Sequence, residues 1–148
     1  MSKTVDIPFE TTALVRDACL CLHVQRAARA LARRFDKALQ PLGLTSGQFS
    51  LMMSLNRPEP PSMGSVASLL AMDRTTLTAA LKPLQRRGFI EVLTSPVDKR
   101  SRLLQLTREG RALLARAVPV WQDTQAQVGG RFTEGGIHLL RENLRALL

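Results

Sequence analysis

Tyrosine is absent from the 148 residues, tryptophan occurs once, and aromatic residues make up only 4% of the chain. Any core must therefore be aliphatic, filled by leucine, alanine and valine. Cysteine occurs only at Cys19 and Cys21, and histidine only at His23 and His138. Cys19, Cys21 and His23 on one helix cannot surround a point tetrahedrally, so no metal is expected. No apolar run approaches the roughly 20 residues of a membrane-crossing helix. The opening residues, Met1 to Asp6, contain no hydrophobic signal core, which points to a cytoplasmic protein with no membrane partner. Phosphate-binding loop, nucleophile elbow and zinc-protease helix are all missing. The carboxylates are few and spaced as helix caps or surface partners. An enzyme is not expected, nor a catalytic residue, nor a cofactor.

What the chain has in excess is positive charge. Its net charge is +9, and residues 74–116 alone hold ten Lys/Arg against Glu91, Asp98 and Glu109, which gives +7. A patch this localised indicates a polyanionic partner. With 45% hydrophobic residues the chain is long enough for one domain with a true core and short for two.

The basic patch coincides with the most ordered pattern in the chain, residues 64–107. Asp73 is a good N-cap for a helix over Arg74 to Arg86. Leu77, Leu81 and Leu84 fall in one stripe of that helix with Ala80 beside it, while Thr75, Thr78, Ala79, Lys82 and Arg86 fall opposite. A helix that buries leucines and displays hydroxyls and cations suits the major groove of DNA, although an ordinary amphipathic surface helix has the same form. Gly88 is placed to end it. Ser65 to Leu70 reads as a shorter helix before it, with Ala71-Met72-Asp73 as the turn. Phe89 to Thr94 and Arg102 to Leu106 alternate as two strands. Ser95 to Ser101 forms the cationic tip between them. An arm carrying Lys99, Arg100 and Arg102 is suited to a minor groove, with Asp98 holding the Arg100 guanidinium in place.

The order of these pieces carries a family resemblance. Met72-Asp73-Arg74-Thr75-Thr76-Leu77-Thr78, Leu84-Gln85-Arg86-Arg87-Gly88 and Asp98-Lys99-Arg100-Ser101-Arg102 followed by Leu106-Thr107 resemble the multiple-antibiotic-resistance regulator (MarR) family. The likeness runs from about Thr11 to the C-terminus. It implies a homodimeric DNA-binding transcriptional regulator, usually a repressor, released by a small ligand or by oxidation. By the same resemblance Arg100 is the minor-groove arginine, Asp98 its positioning partner, and Arg74 to Arg86 the recognition helix. The expected fold is mainly α with a small β-hairpin wing, a winged helix-turn-helix core flanked by N- and C-terminal dimerisation helices. Residues 1–148 make a single domain, with 42–107 as the DNA-binding lobe and 11–41 with 107–148 as the helical dimerisation lobe. The DNA-contacting residues would be Arg74, Thr75, Thr76, Thr78, Lys82, Arg86, Asp98, Lys99, Arg100 and Arg102. The partners would be double-stranded DNA bearing a roughly palindromic operator, a second copy of the chain, and a small-molecule effector.

The flanks fit that arrangement. Residues 1–9, with Pro8, read as an arm that is frayed or ordered on assembly. One long helix is expected from about Thr11 to Gln40, with a seam of Leu20, Val24, Ala27, Leu31, Phe35 and Ala38. Arg26, Arg29, Arg33 and Asp36 make a separate polar face, either simply solvated or bordering a pocket for an anionic ligand. Pro41-Leu42-Gly43 ends the helix, Thr45 or Ser46 caps the next, and Arg57 to Pro61 is a stiff connector. Thr107 caps a helix that Pro119 should bend and that ends near Val128. A last helix should begin at Thr133, with Ile137, Leu140, Leu144 and Leu147 on one face, to pair with the N-terminal helix of a second subunit.

Cys19 and Cys21 have two readings. Two residues apart on a helix they point about 200° apart and should not bond each other without unwinding, so they are small buried hydrophobes or a redox sensor. The hydroperoxide-sensing branch of the resembling family carries a reactive cysteine in this helix, but its tyrosine partners have no counterpart here. His23, and similarly Phe49 and Trp121, are candidates to border a ligand cavity between the dimer helices and the DNA-reading lobe. A reading from a different class is a winged-helix module that contacts protein, which the basic outer face disfavours.

Overall fold

The computed structural model describes residues 5–148, so the first four residues of the expected N-terminal arm lie outside the described residues. Seven helices and one hairpin follow in the order α1 (Phe9–Ala18), α2 (Leu20–Leu39), α3 (Ser46–Ser54), α4 (Met63–Leu69), α5 (Arg74–Arg86), β1 (Ile90–Thr94), β2 (Arg102–Leu106), α6 (Arg108–Gly129) and α7 (Gly136–Arg145). No described helix is long and apolar enough to cross a membrane.

The expected single N-terminal helix is two. Cys19 leaves the helical region with φ −69° and ψ 109° and becomes the N-cap of α2. Its carbonyl accepts both the His23 amide, at 3.1 Å, and the His23 ring Nδ1, at 2.8 Å. Neither glycine nor proline marks the break. It is tolerated because α1 buries no residue, so no packing holds the two helices in line. The apolar seam of α2 is only partly used within the chain. Val24, Phe35 and Ala38 are half-buried, whereas Leu20 is 61% and Leu31 41% exposed.

Beyond α2 the chain turns through Gln40–Leu42 and through Gly43, whose φ of 70° is left-handed. Thr45, rather than Ser46, caps α3 through a capping box with Gln48, satisfying amides at both ends of the first turn. Asp36 of α2 accepts from the Ser46 amide at 2.6 Å and ties the two helices together. The proline-rich connector is more than a spacer. Pro61 is buried, its carbonyl accepts from the Leu104 amide at 2.9 Å, and Ser62 bridges Leu103. A third extended segment thus lines the hairpin on its outer edge, where a proline costs no ladder bond.

Ser62 caps α4, which starts two residues before the expected Ser65. The turn to α5 passes through Ala71 in the left-handed region, φ 52°. The Asp73 carboxylate then accepts the Thr76 amide at 2.7 Å and α5 runs from Arg74 to Arg86. Gly88, φ 77°, releases the chain into β1, which pairs antiparallel with β2 from Ile90↔Leu106 to Thr94↔Arg102. Thr107 caps α6 by accepting from the Gly110 amide and donates to the Gly88 carbonyl at 2.6 Å. Here α6 lies so close to the chain leaving Gly88 that a Cβ on Gly110 would stand 2.0 Å from the Phe89 carbonyl oxygen. The helix runs unbroken through Pro119. The last helix begins at Gly136, not Thr133, because Gly135 sits at φ 76° and only a turn links Gly136 back to Thr133.

The core lies beneath α5. Leu39, Leu51, Met52, Leu77, Leu84 and Leu104 are fully buried, joining the end of α2, α3, α5 and β2 in one cluster with Leu113, Leu114 and Ala117 of α6. At opposite ends of the chain, α1 and α7 bury nothing.

Candidate nucleic-acid interface

The buried stripe of α5 is Leu77, Leu81 and Leu84, as the spacing requires. Anchoring that stripe leaves the opposite face of the helix outward. Arg74, Thr75, Thr78, Ala79 and Lys82 line a shallow concavity of about 320 Å3 there, and each of them is exposed. Thr78 Oγ1 donates to the Arg74 carbonyl at 2.8 Å, which leaves its oxygen still able to accept a hydrogen bond. Thr76 and Arg86 are also exposed but do not line the concavity. Thr76 contributes its amide to the Asp73 cap, and that bond holds the Asp73 carboxyl below the usual carboxylate range.

The wing tip is closed by its own hydrogen bonds. The Ser95 amide donates to the Ser101 carbonyl at 3.1 Å and the Ser101 amide to the Asp98 carbonyl at 3.0 Å. The expected ion pair between Asp98 and the Arg100 guanidinium is absent. The Asp98 carboxylate instead accepts the Arg100 backbone amide at 3.0 Å, the short two-residue loop that aspartate readily closes. The guanidinium of Arg100 is thereby left without an acidic partner among the described residues. Arg102 braces the tip by donating to the Lys99 carbonyl at 3.0 Å. Lys99, Arg100 and Arg102 are exposed, and Val97 stands at the tip 94% exposed.

Arg87, at the C-cap of α5, has a role that local spacing does not reveal. Its Nη1 donates to the Gly43 carbonyl at 2.7 Å and its guanidinium lies over the Phe89 ring at 4.9 Å. It latches α5 to the turn that follows α2, and its partner is 44 residues away. The turn favours glycine at 43 for its φ, and a Cβ there would also push against the Arg87 guanidinium, at 2.7 Å, and so disturb the latch.

The candidates for ligand or redox chemistry do not form one site. Cys19 is half-buried at the helix joint and Cys21 is exposed, not buried among hydrophobes. The Cys21 Sγ accepts from Gln25 Nε2 at 3.1 Å. His23 borders an open concavity lined by α2 alone. Phe49 and Trp121, stacked with centroids 6.2 Å apart, border a different, apolar groove of about 420 Å3 between α3, α4 and α6. No cluster of three His, Cys, Asp or Glu able to hold a metal occurs among the described residues.

The MarR family model matches residues 44–101, the stretch from α3 to the wing tip. The transcriptional regulator MosR of M. tuberculosis, solved in complex with DNA, is 36% identical over 87% of this chain and 92% of its own, with a TM-score of 0.80. The chain belongs to the MarR family. The transcriptional repressor CouR, solved bound to a 23-mer DNA duplex, is 25% identical over 97% of this chain and 99% of its own, TM-score 0.80. The transcriptional repressor MprA of Escherichia coli K12 is 31% identical over 120 residues, 80% of this chain and 65% of that protein. This MarR-family chain is a DNA-binding transcriptional regulator, and the proteins it resembles are regulators, not enzymes.

Proposed function

We propose that the chain acts as a homodimeric, sequence-specific repressor. In this reading α5 enters the major groove and the wing reaches the neighbouring minor groove of a roughly palindromic operator. The observation that carries it is the outward face of α5, where threonines and cations stand clear of the core on a helix fixed at both ends. Arg74, Thr75, Thr78 and Lys82 meet bases and phosphates, with Thr76 and Arg86 at the edges of the contact. Arg100 enters the minor groove, with Lys99 and Arg102 on the backbone. Asp98 shapes the tip by holding the Arg100 amide. Residues 42–107 form the DNA-binding lobe, and 11–41 with 107–148 the dimerisation lobe. A regulator of this kind works beside DNA in the cytoplasm.

Fluorescence anisotropy with DNA from upstream of the chain's own gene tests this reading across a salt series. Phosphate contacts predict a steep linear fall of log affinity with log salt and resistance to unrelated duplex. Binding that unrelated DNA removes equally well would contradict sequence specificity, and no binding at low salt would favour a protein-contacting module.

Release follows from a small ligand, aromatic or anionic, that shifts the two reading heads between separations. A thiol route is the second reading, and the break at Cys19 favours it. The helical geometry that would keep Cys19 and Cys21 apart ends at Cys19 itself. A hydroperoxide would convert one thiolate to a sulfenic acid and leave as alcohol or water. The second thiol would then displace water to form a disulfide. Cys19→Ser with Cys21→Ser should abolish a peroxide response and leave a ligand response intact; a peroxide response that persists would exclude the thiols.

A further inference from the structure

One face of α2 carries charge that the reading face does not use. Arg26, Arg29, Arg33, Arg34 and Lys37 are spaced so that Arg26/Arg29, Arg29/Arg33 and Arg33/Lys37 are three or four residues apart, where like charges destabilise a helix. An ordinary solvated face alternates such cations with acids. Here the one acid of α2, Asp36, is spent on the Ser46 amide. The two ion pairs among the described residues lie in α1 and α7, so none of the five cations has an acidic partner.

The charged face is also concave. Two hollows of about 430 and 660 Å3 meet at Ala30 and Arg33. Together they form a trough from His23 to Lys37, roughly 20 Å at the helical rise. Its floor is made of alanines, which leave room between the guanidinium stems. At its far end Thr124 and Gln127 of α6 join the lining. No carboxylate lines either hollow, and neither holds an aromatic surface for stacking beyond the His23 ring.

We propose that this trough binds a small, elongated polyanion carrying two or more carboxylate or phosphate groups. Guanidinium forks pair with such oxygens two at a time, and a row of them selects for several anionic groups in one molecule over a single charge. The trough ends beside Asp36 and the Leu39–Gly43 turn, the segment that Arg87 grips from the reading helix. A ligand drawing Arg33 and Lys37 together therefore acts on the anchorage of α5. That regulatory consequence rests on the reading of the chain as an effector-controlled repressor, whereas binding itself does not.

Calorimetric titration of the DNA-free protein with inorganic tripolyphosphate and with citrate, at fixed ionic strength, tests the site and separates phosphate from carboxylate ligands. Arg33→Gln with Lys37→Gln should raise the dissociation constant at least tenfold. Arg108→Gln with Arg111→Gln, which removes the same charge from exposed positions on α6, should change it less than twofold. Equal weakening in both variants would reduce the effect to net charge and overturn the site. Absence of binding to the unaltered protein by either probe would overturn it as well, as would loss of operator affinity in the trough variant alone, which would make the trough part of the DNA surface. Trough-dependent binding that leaves operator affinity unchanged would support the site and remove its regulatory role.

Discussion

The DNA lobe and the terminal helices use their leucines in opposite ways. From α3 to β2 most of the leucines turn inward, down to Leu77, Leu84 and Leu104 with no exposure at all, although Leu69 of α4 stays open. In α1 and α7 none is buried, and Leu14, Leu140 and Leu144 remain open to solvent, as do Leu20 at the start of α2 and Leu147 after α7. One region is finished within a single chain. The other is amphipathic without a partner, and an apolar helix face of that kind is stable in water only when a second surface covers it. The α3–β2 region thus closes a core of its own, and the dimer proposed above gives the open faces of α1 and α7 to a second copy.

The sharpest way to break this contrast is to remove one leucine from each region. Leu84→Ala should cost roughly 2–5 kcal/mol of stability in urea denaturation, because its fully enclosed site cannot refill. Leu140→Ala with Leu144→Ala should leave the secondary structure unchanged. Their effect should appear in the dimer dissociation constant, raised by about tenfold or more in sedimentation, since each leucine loses about 1.5–3 kcal/mol of burial at most. An unaltered dimer would remove α7 from the interface. Smaller still, Arg100→Ala should weaken operator binding by about tenfold, in line with about 1–3 kcal/mol for a good groove contact, without moving the melting midpoint. Unchanged affinity would refute the wing assignment.

The mildest effect concerns Asp73. Its folded carboxyl is held below the usual range by the Thr76 amide, so the cap stabilises fully above the unfolded value and loses that contribution as pH falls through the folded one. Asp73→Asn, still a good cap, should flatten the acid side of the stability profile and leave neutral pH little changed. An unaltered acid limb would mean that the carboxylate contributes nothing beyond its hydrogen bond.

The same contrast explains what was legible in the sequence. The ends of α5 are legible because a cap, a leucine period and a terminal glycine agree over a short span, and β2 and the Thr107 cap follow from equally local signals. The features without a local signal depend on contacts or their absence. The break at Cys19 has no breaker residue and arises where packing is missing. The pairing of Pro61 and Ser62 with β2, and the grip of Arg87 on Gly43, join residues some 40 apart in sequence. Asp98 lies at a spacing that serves either the Arg100 side chain or its amide, and the tightness of the tip selects the amide.

Hydroxyl-radical footprinting of the protein on its operator tests the central claim most directly, because it reads the DNA lobe and the assembly together. Two recognition helices held by a two-fold assembly should protect two symmetry-related half-sites about 10 bp apart, with added protection in the minor groove where each wing lies. A single protected half-site at saturation, or protection without symmetry, would contradict a dimer that presents two α5 faces to DNA.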